Sequence, residues 1–350
     1  MSQPITHDQQ DNVLVEIKNL RTYFHLAEGT VRAVDGVNLS IERGKTLGIV
    51  GESGCGKSIS AFSMLRLISP PGKIEGGDIL FYKIPKGNPN SQAEVINLTK
   101  LKADGPEIRA IRGNYISMVF QEPMTAMSPV RTIGQQIMEA IILHQKVSKV
   151  EARTQAIDML ARVRMANPGR VIDDYPFQLS GGMRQRAVIA MALCCRPSLL
   201  IADEPTTALD VTTEAQILNL MQELQADLGM TIMYITHNMG VIAEMADNVA
   251  VMYMGKVVEQ TDINSIFFSP QHPYTQGLLQ SIPQLSDAVL KKEHQRLQTI
   301  KGMVPDPYSI PKGCSFHPRC PQAISGVCDQ IEPAPIMTSQ NHMVRCHLYD

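Results

Sequence analysis

The sequence predicts an α/β protein: a mostly parallel sheet covered on both faces, with an antiparallel β portion, a helical portion and an irregular, cysteine-containing C-terminal extension. Three observations predict it. Short apolar runs alternate with amphipathic segments from residue 115 onward, as strands alternating with helices do. GESGCGKS at 51–58 stands between an apolar run, TLGIV, and SISAFSMLRLI, whose apolar residues recur at helical spacing. Ten of the 22 prolines and four of the seven cysteines fall in the last 81 residues, which breaks any regular pattern there.

The elements follow in chain order. VLVEIKNLRTYF (13–24) and TVRAVDGVNLSI (30–41) alternate apolar and polar residues, as antiparallel strands do. Strand, glycine-rich turn and helix come next. Residues 84–107 are polar and punctuated by Gly and Pro, and read as a surface excursion. YISMVF (115–120) is an apolar strand ending before Gln121. TIGQQIMEAIIL and VEARTQAIDMLARVRM make residues 133–165 mostly helical. LLIADEP, TIMYITH and NVAVMYMG are three buried strands, separated by the helices TEAQILNLMQELQADL and MGVIAEMA. The 350 residues suit one large domain or two.

GESGCGKS satisfies G-x-x-x-x-G-K-[ST] at Gly51, Gly56, Lys57 and Ser58. Glycines let successive backbone N–H groups point at one anion, and the following helix N-terminus adds partial positive charge. Gly51, Glu52, Ser53, Gly54, Cys55, Gly56, Lys57 and Ser58 are therefore the candidate ATP-binding loop, with Lys57 reaching the β- and γ-phosphates and Ser58 holding Mg²⁺. Asp203 and Glu204 end an apolar strand. Asp203 faces the bound Mg²⁺ in this reading, and Glu204 polarises the attacking water. LSGGMRQR (179–186) opens a helix with Ser180, Gly181 and Gly182, a second anion site. One nucleotide does not use both helix starts, so the economical arrangement is a head-to-tail dimer with each nucleotide between one chain's loop and the other's Ser180-Gly181-Gly182. His237 ends the strand TIMYITH, where strand ends face the ligand crevice in such sheets.

In that order, GESGCGKS, Gln121, LSGGM, LLIADEP, ALD at 208–210 and His237 resemble an ABC-transporter ATPase. The resemblance implies a P-loop NTPase (ABC ATPase) core over 13–268, with its helical subdomain at about 122–180. It makes Gln121 the residue that contacts Mg²⁺ or water and senses the membrane partner. It puts Asp210 across the dimer interface and His237 on the γ-phosphate. An aromatic of the first antiparallel strand stacks on adenine; the phase of NLRTYF favours Phe24, with Tyr23 second. Met183 departs from the family pattern, which most widely has Gln there.

The last four cysteines, Cys314, Cys320, Cys328 and Cys346, are spaced C-x5-C-x7-C-x17-C. This is neither a common zinc module nor a ferredoxin spacing. Their density suggests four thiolates on one metal centre, with His317 and His347 as substitute ligands and zinc as an alternative. Disulfides are disfavoured in a cytosolic chain. HPYTQGLLQSIP (272–283), GCSFHPRCPQA (313–323), VRCHL (344–348) and QEPMTA (121–126) are similar to oligopeptide/dipeptide-type importer ATPases, most of them to the C-terminal extension. That resemblance implies an extension over 269–350 in which Cys314, Cys320, Cys328 and Cys346 ligate a [4Fe-4S] cluster. It also implies a second ATPase subunit in a heterodimer, two transmembrane permease subunits and an extracytoplasmic solute-binding protein, with peptides the leading cargo over nickel, glutathione or oligosaccharides.

Composition excludes other classes. Net charge is −2 and no Lys/Arg block offers a nucleic-acid face. AVIAMALCC is too short to span a membrane, and the polar N-terminus shows no signal peptide. The expected location is the cytoplasmic face of a bacterial inner membrane, reached by docking on a partner. Two readings compete: a soluble ABC ATPase acting on nucleic acid or ribosomes, and a metal-sensing interaction module. The first usually carries a long coiled coil or a second cassette, and the chain has neither.

Overall fold

The computed structural model describes residues 12–86, 91–121, 126–207, 209–281 and 300–350. Twelve strands are described: β1 Val13–Leu26, β2 Gly29–Glu42, β3 Thr46–Val50, β4 Gly72–Lys83, β5 Glu94–Asn97, β6 Ile116–Val119, β7 Leu199–Asp203, β8 Thr231–Thr236, β9 Asn248–Tyr253, β10 Lys256–Asp262, β11 Ile336–Ser339 and β12 His342–Val344. The α-helices are α1 Lys57–Met64, α2 Pro106–Ile111, α3 Ile133–Gln145, α4 Lys149–Arg162, α5 Pro168–Val171, α6 Gly181–Leu193, α7 Val211–Leu228, α8 Met239–Met245, α9 Ile263–Phe268 and α10 Pro273–Gln280. Among the described residues, no helix is long and apolar enough to cross a membrane.

Two compact units are distinguished. The first comprises Met1–Glu16, Ser40–Thr46 and Leu80–Ile235. Within it β6, β7 and β8 run parallel, with Ile116 opposite Leu199 and Leu199 opposite Thr231. Every residue of β7 and β8 is buried, as expected of strands covered on both faces. Helix α3 starts on a capping box, Thr132 with Gln135, and buries Ile133, Ile137 and Ile141, one turn apart. It packs with α4, which is capped by Ser148, and with α6.

The second unit comprises Ile17–Leu39, Leu47–Ile79 and Thr236–Asp350. Its strands lie in the order β11-β12-β10-β9-β3. The β3–β9 pair is parallel and the others are antiparallel. A Cβ on Gly48 of β3 would stand 2.7 Å from Ile242 Cδ1, so the missing side chain lets α8 lie close against the strand.

A further sheet has the strand order β2-β1-β4-β5, the predicted antiparallel portion. Two expectations change. The polar stretch 84–107 contributes β5, which pairs antiparallel with β4 through Leu80–Asn97 to Lys83–Glu94. Only four residues long and at a sheet edge, β5 carries too few apolar residues to stand out in sequence. The extension is likewise not wholly irregular, because β11 and β12 form a hairpin around Gln340 and Asn341 and β12 joins β10.

His272 holds the start of α10. It is 1% exposed, and its Nδ1 accepts the Tyr274 N–H at 3.0 Å. Beside it the buried Glu259 carboxylate accepts the His272 N–H at 3.0 Å and faces His342 Nε2 at 2.7 Å. Burial lowers the His272 pKa from 6.5 to about 3. Between those values the unfolded chain binds a proton that the folded chain does not, so stability rises with pH in that window. Acidification below pH 6.5 should therefore cost up to about 1.4 kcal/mol per pH unit through this residue. His272→Asn keeps an acceptor for the Tyr274 N–H, and urea titrations at pH 7 and 5 should show a smaller acid loss than wild type.

Candidate active site

The phosphate-loop residues are positioned within the second unit. Strand β3 delivers the chain to Gly51, and α1 begins at Lys57. A Cβ on Gly51 would stand 2.2 Å from the Met252 carbonyl oxygen, and one on Gly56 2.0 Å from that of Ala33. Gly56 also has φ 101, a left-handed conformation that favours glycine. The loop is thus packed against β2 and the end of β9 through positions where only a hydrogen fits. Lys57 is 5% exposed, and its ammonium donates to Gly51 O at 2.7 Å and Glu52 O at 3.1 Å. Cys55 is buried, and burial pushes its thiol up, so it is a packing residue of the loop. Ser58 lies in the first turn of α1.

The acidic strand end lies in the first unit. Asp203 is 2% exposed and closes β7. At Glu204 the backbone leaves the strand with φ 46, a left-handed turn for a non-glycine residue, held by its N–H donating to Ile235 O at 2.9 Å. The Glu204 carboxylate accepts from Gln121 Nε2 at 2.9 Å and Thr207 Oγ1 at 3.2 Å, both on Oε2. Gln121, expected at the metal or its water, therefore directly orients the candidate base.

Ser180 caps α6, accepting the Met183 N–H at 3.3 Å, and Ser180 and Gly181 are exposed. A Cβ on Gly182 would stand 3.0 Å from Thr213 Cγ2. Asp210 caps α7, its carboxylate accepting the N–H and Oγ1 of Thr213 at 2.9 and 2.8 Å. These bonds hold its carboxyl below the usual range. Of the ALD stretch, position 208 lies outside the described residues, as do 122–125 of QEPMTA and 282–283 of HPYTQGLLQSIP. His237 is exposed immediately after β8. Tyr23 is engaged elsewhere: its hydroxyl donates to Asp35 at 2.6 Å, and Arg32 lies 5.8 Å from its ring centre. Burial and the Asp35 hydrogen bond push its phenol up to about 12. Phe24, partly exposed, lies against Gly72, where a Cβ would approach its ring within 2.5 Å.

The four tail cysteines are neighbours without converging. Burial raises the thiols of Cys314, Cys320 and Cys346, the last to about 11; Cys328 adds to each shift, Cys320 also to that of Cys314, and Cys314 and Cys320 also to that of Cys346. Among the described residues, no three His, Cys, Asp or Glu side chains gather closely enough to hold a metal ion. The expected [4Fe-4S] ligand set, Cys314, Cys320, Cys328 and Cys346, finds no support on that point. The Cys314 N–H bonds the Cys328 carbonyl at 2.8 Å, and the Cys328 sulfur accepts the Ile324 N–H at 3.3 Å, so local backbone bonds occupy this region.

Two residues that sequence reasoning missed touch the phosphate loop. Arg319 pairs with the Glu52 carboxylate through two bonds of 2.6 and 3.0 Å, and the Tyr274 hydroxyl accepts the Glu52 N–H at 2.9 Å. Arg319 stands in the GCSFHPRCPQA stretch singled out for its cysteines, but nothing local ties it to residue 52.

Residues 34–207 match the ABC transporter family, and residues 258–328 match the C-terminal region of oligopeptide/dipeptide transporters. The oligopeptide transport ATP-binding protein AppD of Bacillus subtilis (strain 168) is 45% identical over 97% of this chain and 98% of its own length. The dipeptide transport ATP-binding protein DppD of the same organism is 45% identical over 96% and 95%. The oligopeptide transport ATP-binding protein OppD of Salmonella typhimurium is 43% identical over 93% and 91%. Among solved structures, the dimeric bacterial ABC transporter cassette MJ0796 superposes with a TM-score of 0.61 at 27% identity, covering 71% of this chain and 99% of that one. With strand, phosphate loop, acidic strand end and C-terminal region all accounted for, the chain belongs to the ABC transporter ATPase family, in the branch that carries the oligopeptide/dipeptide transporter C-terminal region.

Proposed function

We propose that this chain is the ATP-hydrolysing subunit that powers import of oligopeptides or dipeptides through a membrane ABC transporter. The observation that carries the hydrolytic part is the Glu204 carboxylate, at the end of a fully buried strand, oriented by Gln121 and Thr207. In this reading Lys57 and the loop amides bind the phosphates, Ser58, Gln121 and Asp203 serve Mg²⁺, and Glu204 takes the proton of the attacking water. His237 contacts the γ-phosphate and Phe24 stacks on adenine. Mg²⁺, when bound, neutralises charge that develops on the phosphoryl oxygens.

Exposed Ser180 and Gly181 at a helix start suit contact with a nucleotide on another subunit, with Asp210 across the interface, so the working unit is a pair. The relatives' names indicate peptide cargo, and an importer of that kind implies a second ATPase subunit, two transmembrane permease subunits and an extracytoplasmic solute-binding protein. Large apolar side chains left exposed on the helical portion, Val130, Leu143 and Val150, suit docking on a permease at the cytoplasmic face. The four cysteines support a metal centre by number and mutual field, and count against it by geometry. Iron and sulfide analysis of anaerobically purified protein decides that point.

The test is reconstitution. Co-expressed with its neighbouring-gene ATPase, permeases and binding protein in proteoliposomes, the chain should support Mg·ATP-dependent uptake of a labelled peptide. Uptake of another solute class with peptides ignored would overturn the cargo; no nucleotide-dependent uptake at all would overturn the transport role.

A further inference from the structure

Glu52 is the one acidic residue in the phosphate loop, which is a poor place for a carboxylate. A bound nucleoside triphosphate brings about four negative charges, and like charges at close range in a partly dry site repel strongly. Glu52 is only 28% exposed, so water screens its charge incompletely.

The C-terminal region answers this with Arg319, whose side chain is 4% exposed and pairs with both Glu52 oxygens. The arginine is itself held in place. Its Nε donates to Lys301 O at 3.3 Å, its Nη1 reaches the Tyr253 hydroxyl at 3.5 Å, and the guanidinium lies 5.9 Å from the Tyr253 ring centre. Tyr253, Tyr274 and Phe316 pack ring against ring, with centroids 4.7 to 5.4 Å apart. Arg319 closes the turn His317–Arg319, whose Arg319 N–H bonds Phe316 O at 2.9 Å. The same cluster takes the Glu52 N–H on the Tyr274 hydroxyl, and the Glu52 carbonyl accepts from Lys57. Every polar group of Glu52 is thus engaged, two of the three by the C-terminal region.

We infer that Arg319 is a positioning residue for nucleotide binding: it neutralises Glu52 and draws the carboxylate away from the phosphates, so that the C-terminal region is a working part of the ATP site. This inference rests on reading Gly51–Ser58 as the phosphate loop.

The experiment is calorimetric titration of full-length protein with Mg·ATP and Mg·ADP, at low and high salt. Arg319→Ala should weaken ATP binding about tenfold, a difference of about 1.4 kcal/mol. ADP, with less charge, should lose less, and raising the salt should narrow the deficit because the repulsion is electrostatic. Glu52→Gln alone, which removes the repelling charge and leaves Arg319 unopposed, should bind ATP more tightly than wild type. The Glu52→Gln/Arg319→Ala double variant should recover to within a few-fold of wild type. A merely structural pair predicts instead that Arg319→Ala weakens ATP and ADP alike and that Glu52→Gln weakens binding by itself. Arg319→Ala binding ATP like wild type, or a double variant no better than Arg319→Ala, overturns the inference. Wild-type protein that does not bind Mg·ATP overturns the phosphate-loop reading itself. If Arg319→Ala does not fold, Glu52→Gln decides, because ATP binding weaker than wild type in that variant overturns the inference.

Discussion

Glu204→Gln should leave a protein that binds ATP and scarcely hydrolyses it. The substitution is close to isosteric. The new amide oxygen can still accept from Gln121 and Thr207, and the left-handed backbone at residue 204, held by Ile235 O, carries the same side-chain shape. What disappears is the proton acceptor. Losing a positioned general base typically costs about 10²- to 10⁴-fold in the chemical step, and the turnover rate should fall by that much while the ATP dissociation constant moves only a few-fold. Single-turnover hydrolysis with the partner ATPase present, alongside equilibrium ATP binding, measures both. A variant that turns over at the wild-type rate would remove Glu204 from the chemistry, and one that loses ATP binding would make it a structural residue.

Gly56→Ala should be the most damaging single methyl group in the phosphate loop. Two costs combine. The left-handed φ of 101 disfavours any side chain by about 1–2 kcal/mol. The new Cβ would also stand 2.0 Å from the Ala33 carbonyl oxygen, a backbone atom that cannot swing aside. Relieving such a contact costs about 1–3 kcal/mol more and shifts the start of α1, which carries Lys57 and Ser58. ATP affinity should fall about 100-fold. Gly54→Ala is the control. Gly54 is also left-handed, at φ 78, but nothing lies within 4 Å of its Cβ position. It should lose only the conformational share, about tenfold or less. Equal losses at the two positions would show that the loop does not depend on its contact with β2.

The site was legible in sequence where its geometry is local. Strand, glycine turn and helix occupy consecutive residues, so GESGCGKS announced its conformation. The same holds for Ser180 before Gly181-Gly182 and for the buried strand ending in Asp203-Glu204. Contacts between distant residues left no such trace. Gln121 and Glu204 are separated by 83 residues, and Glu52 and Arg319 by 267. No periodicity connects such pairs, and only the fold brings them together. Asp210 shows the converse: its place in the order of motifs suggested an interface role, while the structure adds a helix cap that its type and its distance from Thr213 already allowed. The cysteines mark the limit of composition as evidence. Four thiols in 37 residues suggested one centre, and among the described residues no three of these side chains gather as a metal-binding group.

The hairpin of β11 and β12 has a consequence beyond nucleotide chemistry. An open strand edge displays unpaired N–H and C=O groups that recruit strands from other molecules. Without residues 336–344, β10 would be such an edge: seven residues long, with Val257, Val258 and Glu259 buried in sequence. β12 covers it, and passes the exposed edge to β11, four residues of which three are exposed and which shifts register after Met337. That strand is too short and too irregular to template another. The extension thus keeps the sheet from growing across molecules, and a cassette cut before it would aggregate for reasons unrelated to its active site.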